Sequence, residues 1–181
     1  MSRNYKIQNK EGIYFITFAT VSWVDVFTRQ VHRDLLLESI RFCQKEKGLV
    51  VYAWCLMSNH FHVIASSVVG DLSGTIRDLK KYTSKKCIEA IRSENESRRE
   101  WMLKIFERAG QLNSNNKHYQ FWRQDNKPID LVTNQVVDQK LEYIHRNPVQ
   151  AGIVEEPEHY LYSSARDYAG MKGLLDISFL D

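Results

Sequence analysis

The segment from residue 49 to residue 66 constrains the fold most strongly. Residues 49–57, with the sequence LVVYAWCLM, form a long apolar run and predict a buried strand. Ser58 and Asn59 follow as two turn-forming residues, and residues 60–66 predict a second strand. The whole segment is therefore predicted to be a β-hairpin, which places two neighbouring strands in one antiparallel sheet.

Strand and helix patterns surround this hairpin. Residues 12–21 are rich in β-branched and aromatic side chains and predict a first strand. Residues 32–46 carry apolar side chains at helical spacing and are followed by Gly48, a residue that ends helices well, and residues 72–93 repeat the helical pattern. Together with a late helix, this order predicts an α+β fold in which helices pack on an antiparallel sheet.

The length of 181 residues fits a single domain spanning residues 1–181. Residues 94–118 are polar and predict an irregular insertion with one short helix, rather than a second domain. The start of the chain does not resemble a signal peptide, and no apolar run approaches the roughly 18 residues of a membrane span. Three cysteines that form no CxxC pair give no sign of a zinc knuckle or a disulfide framework. A cytoplasmic protein without membrane association is expected, and the net charge of +3 permits a polyanionic partner.

Two histidines in the second strand of the hairpin form the first candidate site. Alternate side chains of a strand lie on one face of the sheet, so His60 and His62 point the same way and Phe61 points into the core. Imidazoles that are roughly 7 Å apart along the backbone can converge on one divalent cation. A half-buried strand can also contain two histidines that bind nothing, so the pair alone leaves a metal site and a structural role open.

The late helix, predicted over residues 132–147, provides the second candidate group. Pro148 disfavours helical geometry at the residue before it, which predicts that the helix ends at Asn147. Tyr143 and Asn147 lie one turn apart on the same face, with Lys140 beside them. An amide oxygen can complete a metal site and a phenol can attack phosphorus. Tyrosines at the edge of a core and asparagines before proline are also common structural features, so the helix alone is weak evidence.

Together these two segments resemble a known family. The sequence MSNHFHVIAS resembles the histidine–hydrophobic–histidine (HUH) motif of single-strand DNA transposases. The sequence EYIHRNPVQAGIV, followed by YLYSS, resembles the tyrosine helix and tail of the IS200-like and REP-associated tyrosine transposases. Weaker similarities occur in YFITFAT, KKYTSKK and FWRQ, in the order that the family has, and the resemblance extends over roughly residues 10–168.

The resemblance implies a ferredoxin-like α+β fold and a metal-dependent DNA transposase. It implies that His60, His62 and Asn147 hold a divalent metal, Mg²⁺ or Mn²⁺, and that Tyr143 is the nucleophile. The enzyme would nick and rejoin single-stranded, hairpin-associated DNA through a 5′-phosphotyrosine intermediate, as a monomer or as a homodimer. Lys140 could shield the anionic nucleophile, or could be a solvated helix residue. The stretch FWRQDNKPID differs from the pattern common in REP-associated members, so no DNA sequence preference is implied.

Two further groups of side chains are candidates for DNA contact. One is the basic face of the helix predicted over residues 72–93, which could also be merely solvated. The other lies in the segment YQFWRQ, whose aromatic rings and arginine could stack on unpaired bases or pack in the core. The residues predicted to contact DNA are Arg77, Lys80, Lys81, Lys85, Trp122 and Arg123.

Two rival functions remain open at this point. A metal phosphodiesterase that uses water would leave Tyr143 with a structural role. A non-catalytic nucleic-acid-binding protein derived from the same family would have no use for the complete set of His60, His62, Tyr143 and Asn147. A covalent protein–DNA adduct that resists boiling in detergent separates the transposase from the phosphodiesterase.

Overall fold

A four-stranded antiparallel sheet forms the centre of the protein. The computed structural model describes residues 7–93, 95–113 and 118–180. The order of strands in the sheet is β2-β3-β1-β4, and each described pairing is antiparallel. This order, with a helix after β1 and another after β3, is the ferredoxin-like arrangement. The strands are β1 (Tyr14–Ala19), β2 (Leu49–Leu56), β3 (His60–Ser67) and β4 (Ile129–Asp130).

Helices cover both faces of this sheet. On one face, a large core contains Phe18 and Phe61 together with buried residues of the first three helices. On the other face, a smaller cluster contains Phe15, Ile64 and Ile144, the last contributed by the fourth helix. Because side chains alternate along a strand, His60 and His62 lie on the side of this fourth helix. The helices are α1 (Gln30–Lys47), α2 (Leu72–Ser93), α3 (Arg99–Gln111), α4 (Asn134–Gln150) and the short α5 (Ala165–Tyr168).

Helix α4 continues through Pro148 to Gln150, so the prediction that it ends at Asn147 is wrong. The proline lies in the last turn, where its fixed φ suits a helix and the loss is confined to the hydrogen bond that its nitrogen would have donated to Ile144. Pro148 is buried, and its carbonyl accepts a hydrogen bond from the backbone of Ile153 at 2.9 Å. Asn147 is therefore held inside the helix and not at a frayed end.

Helix α3 occupies most of the segment predicted to be an irregular insertion. It is longer than the short helix expected there, and Met102 and Phe106 are fully buried in the large core. Residues 94 and 114–117 lie outside the described part of the chain. The described part of this segment therefore contributes to the same core as α1 and α2.

The chain after α4 runs along the outer edge of β2. The backbone of Leu56 donates to Tyr162, and the backbone of Ser164 donates to Trp54, both at 2.9 Å. His145 of α4 contacts the same tail through its Nε2, which lies 2.9 Å from the Ser164 hydroxyl. These bonds pair backbone N–H and C=O groups on the outer edge of β2 that would otherwise lack partners. They also fix α4 against the sheet. Within the described ranges, no helix is both long enough and apolar enough to cross a membrane.

Candidate active site

The pairing of β1 with β3 places the two histidines side by side. His62 lies opposite Thr17 and His60 lies opposite Ala19 in the register of these strands. Their ring centroids are 4.7 Å apart, and the rings meet edge to face. His62 is 4% exposed, whereas His60 is partly exposed at the start of the strand. The two imidazoles thus face one site on the α4 side of the sheet.

Both imidazoles have one nitrogen engaged by a neighbouring oxygen. The Nδ1 atom of His62 lies 2.8 Å from the Thr17 hydroxyl, and the Nδ1 atom of His60 lies 2.7 Å from the amide oxygen of Asn59. The Nε2 atom of His62 is buried and has no hydrogen-bond partner among the described residues. Partners on Nδ1 are typical of metal-binding histidines, since they fix the ring and leave Nε2 to the ion.

Burial keeps both rings neutral. Desolvation, together with the charges of His60 and Lys140, lowers the pKa of His62 to about 3. Desolvation also lowers the pKa of His60, and a side-chain hydrogen bond with Asn147 partly opposes this effect. A neutral imidazole has a free lone pair, which is the form that binds a metal ion.

The asparagine of α4 is the third available ligand. The described residues contain no group of three or more His, Cys, Asp or Glu side chains that could hold a metal. The Asn147 side chain hydrogen-bonds His60, so its amide oxygen is available as a ligand beside the histidine pair. The unpartnered Nε2 of His62 and this neighbouring amide fit a divalent cation with mixed nitrogen and oxygen ligands.

Tyr143 contacts the ring of His62. Its ring centroid is 5.2 Å from that of His62 and 5.9 Å from that of Phe15, in edge-on contacts. Its side chain is 40% exposed, so the phenol is accessible from solvent. The Lys140 ammonium lies 5.7 Å from the Tyr143 ring, which places a positive charge beside the phenol. The structure thus brings His60, His62, Lys140, Tyr143 and Asn147 together.

The residues predicted to contact DNA occupy different environments. Arg77, Lys81 and Lys85 are exposed on α2, on the face of the sheet opposite the histidines. Lys80 is partly buried instead, and its ammonium donates to the carbonyl of Arg123 at 2.7 Å and to the side chain of Asn126. Burial lowers the pKa of Lys80 to about 8. Lys80 thus ties α2 to the segment that precedes β4. The other three cations stay exposed to solvent, although Arg77 pairs with Asp78 at 3.1 Å and Lys85 lies 3.9 Å from Glu89.

The ring of Trp122 belongs to the core. It is 5% exposed, stacks on Phe27, and donates from its indole nitrogen to the Thr83 hydroxyl at 2.9 Å. The prediction that this ring stacks on unpaired bases is therefore corrected, because the core would have to open. Arg123 differs from its neighbour, since its side chain is exposed at the histidine end of the sheet.

Sequence reasoning missed one residue of this region, Trp23. Its indole is 50% exposed and lies 5.8 Å from the His60 ring. The guanidinium of Arg123 lies over the same indole, at 5.4 Å from the ring centroid. A tryptophan in a short segment after β1 gives no periodic signal, so its position beside the histidines emerges with the fold.

The histidine strand lies within the part of the chain that a protein family shares. A family model described as an IS200-like transposase matches residues 9–110, more than half of the chain. The chain belongs to the IS200-like transposase family. The match ends before α4, so the assignment of this transposase to the family does not depend on Tyr143 or Asn147.

Solved structures provide a second comparison for this IS200-like transposase. It is similar to a REP-associated tyrosine transposase bound to a REP hairpin, with a TM-score of 0.67 and 19% identity over 100% of this chain and 94% of that one. It is also similar to a putative transposase from Deinococcus radiodurans, with a TM-score of 0.46 and 18% identity over 80% of this chain and 94% of that one. No curated protein matches the chain significantly. The first similarity and the sheet order confirm the predicted α+β fold.

Proposed function

We propose that this IS200-like transposase nicks and rejoins single-stranded DNA beside a hairpin, with Tyr143 as the nucleophile. The observation that carries the proposal is the contact of the exposed Tyr143 ring with His62, whose Nε2 is buried and unpartnered. A structural tyrosine at a core edge needs no such neighbour. The similarity to a REP-associated transposase bound to a REP hairpin supports a hairpin-associated substrate.

The proposed metal ligands are His60, His62 and Asn147, and the proposed ion is Mg²⁺ or Mn²⁺. When bound, such an ion would polarise the scissile phosphate and neutralise charge that develops on it. Thr17 and Asn59 hold the two imidazoles through Nδ1, so both rings would keep their orientation before and after binding. Amide coordination by Asn147 would couple α4, and therefore Tyr143, to the position of the phosphate.

The reaction follows from the position of the phenol. The Tyr143 oxygen attacks phosphorus and forms a new phosphotyrosine bond, while the bond from phosphorus to the 3′ oxygen breaks in line with it. The phenol proton passes to solvent, which reaches the exposed ring, and the leaving oxygen takes up a proton to become a 3′-hydroxyl. The Lys140 ammonium stabilises negative charge beside the phenol. A second 3′-hydroxyl then loses its proton and attacks the phosphotyrosine, the bond from phosphorus to the Tyr143 oxygen breaks, and the phenol takes up a proton. The strand is thus rejoined without a nucleotide cofactor.

All of these side chains belong to one chain. Because α4 packs on the sheet that carries its own histidines, a monomer contains the complete candidate site. A homodimer is therefore not required to assemble the site, although the proposal permits one.

The test is formation of a covalent adduct with a labelled DNA hairpin that has unpaired flanks. Wild-type protein with Mn²⁺ should give an adduct that resists boiling in detergent, and Tyr143→Phe should give none while binding DNA as well as before. Tyr82→Phe is the matched control, because Tyr82 is an equally accessible tyrosine on α2 among lysines. Cleavage without an adduct would instead support the phosphodiesterase that uses water, and binding without cleavage would support the non-catalytic protein.

A further inference from the structure

The most unusual feature outside the proposed catalytic set is the exposed indole of Trp23. Half of this residue is accessible, as is Trp101 on α3, whereas Trp54 and Trp122 are buried in the core, and Trp23 alone of the two exposed indoles contacts the histidine pair. Its ring stands edge-on to His60, with an interplanar angle of 85° and a centroid distance of 5.8 Å. An accessible aromatic ring thus stands directly beside the candidate metal site.

The backbone that carries this indole is strained. Ser22 and Trp23 have φ values of 53° and 56°, in the left-handed region that favours glycine. The strain is maintained by tertiary bonds, since the side-chain amide of Asn59 donates to the Trp23 carbonyl at 3.3 Å and to Asp25 at 3.0 Å. The oxygen of the same amide lies against His60. Two adjacent non-glycine residues in this conformation are expected where a fixed side-chain position has a function.

Arg123 places a cation on this indole. Its guanidinium lies over the ring at 5.4 Å, and its backbone is fixed by bonds to Ala19 and from Lys80. An arginine on an aromatic face is a common part of sites for single-stranded nucleic acid, because the ring stacks on a base and the guanidinium attracts the phosphates.

The ring contacts of Trp23 and Tyr143 with the two histidines indicate which base of the DNA would reach Trp23. Trp23 contacts His60, and Tyr143 contacts His62, so the indole and the nucleophile each border a different member of the histidine pair. In an in-line attack, the leaving 3′ oxygen departs on the side opposite the nucleophile. The nucleotide that keeps this 3′ oxygen therefore extends towards His60 and the indole.

We propose that Trp23, with Arg123, is a stacking platform for the unpaired base immediately 5′ of the scissile phosphate. This inference rests on the proposed function for its placement, but stacking itself requires binding and not cleavage. Trp23 is thus a positioning residue, which orients the leaving nucleotide without touching the reacting atoms. Because stacking depends on the face of a base and not on its edges, the platform should accept each of the four bases.

The test measures binding in the Tyr143→Phe protein, which cannot cleave. The probe is a DNA hairpin with unpaired flanks, selected for binding from a randomised library, in which each flank position is made abasic in turn. With Trp23 present, one position should lose about tenfold in affinity when its base is removed. With Trp23→Ala the intact probe should bind about tenfold more weakly, and that same abasic change should then have no further effect.

Further variants separate stacking from a folding defect. Trp23→Gly removes the ring at a φ that glycine adopts freely, and it should behave as Trp23→Ala does. Trp23→Phe should restore part of the affinity, and Trp101→Ala, which removes an equally exposed indole from α3, should change nothing.

The outcomes distinguish this inference from the proposed function. If no flank position couples to Trp23, the platform does not exist, even if Tyr143 forms an adduct. If coupling is found but no adduct forms, the platform stands as a binding site and the catalytic proposal fails. Adduct mapping should place the coupled base immediately 5′ of the cleaved bond, and coupling at any other position would overturn the assignment to the leaving nucleotide.

Discussion

The imidazole of His62 is held from three sides. Thr17 bonds its Nδ1 atom at 2.8 Å, Phe15 stacks on one face at 5.4 Å, and Tyr143 meets it edge-on. A ring with so little freedom loses little entropy on binding an ion, so the site is preorganised. The Thr17 hydroxyl determines which nitrogen of His62 faces the site, because stacking alone does not select between Nδ1 and Nε2.

Thr17→Val should therefore weaken Mn²⁺ binding by about 10- to 100-fold, the usual effect of removing a partner that orients a metal ligand. Valine has nearly the same shape and suits a strand, so the fold should remain intact. Calorimetric titration with Mn²⁺ measures the change, and Thr28→Val, which removes an exposed hydroxyl outside the site, is the control. An unchanged affinity would mean that Thr17 does not orient a metal ligand.

At the scale of elements, some features follow from the local sequence pattern, whereas others depend on contacts between residues distant along the chain. The placement of His60 and His62 on one face follows from the two-residue period of a strand, which the sequence displays directly. The extension of α4 past Pro148 depends on burial of that residue, and the exposure of Trp23 depends on Asn59, far away along the chain. Neither leaves a periodic signal, so the sequence predicts the histidine face but not the indole beside it.

Helix α3 offers a test of the same distinction. Its overall polarity suggests a peripheral insertion, yet Phe106 is fully buried in the large core. Phe106→Ala should therefore lower the free energy of unfolding by about 3–5 kcal/mol, as the replacement of other buried phenylalanines by alanine does. Trp101→Ala, on the exposed side of the same helix, should change it by less than about 0.5 kcal/mol. Chemical denaturation measures both values. If Phe106→Ala lowered the free energy of unfolding as little as Trp101→Ala does, α3 would not be part of the cooperative core.

At the scale of the whole molecule, the candidate site and the basic helix lie on opposite faces of the sheet. Helix α2 starts just after β3 ends and runs back towards the end of the sheet that carries His60, where Lys80 bonds the backbone of Arg123. A path for DNA can therefore pass from the exposed lysines of α2, around this end of the sheet by Arg123, to the histidines. This path would let a hairpin stem lie on α2 while its unpaired flank enters the site.

Counterion release tests this path. Each phosphate contact made by a cation adds roughly 0.9 to the slope of log affinity against log salt for a duplex stem. Lys81→Ala with Lys85→Ala should therefore reduce the slope by about 1.8, measured by fluorescence anisotropy of a labelled hairpin across a salt series.

Lys10→Ala with Lys45→Ala removes two exposed cations near the opposite end of the sheet, where Gly48 and Gly70 lie, and should leave the slope unchanged. Since both double variants lower the net charge equally, a general electrostatic effect would reduce the two slopes alike. Equal slopes for the α2 variant and the wild type would instead place the stem away from α2.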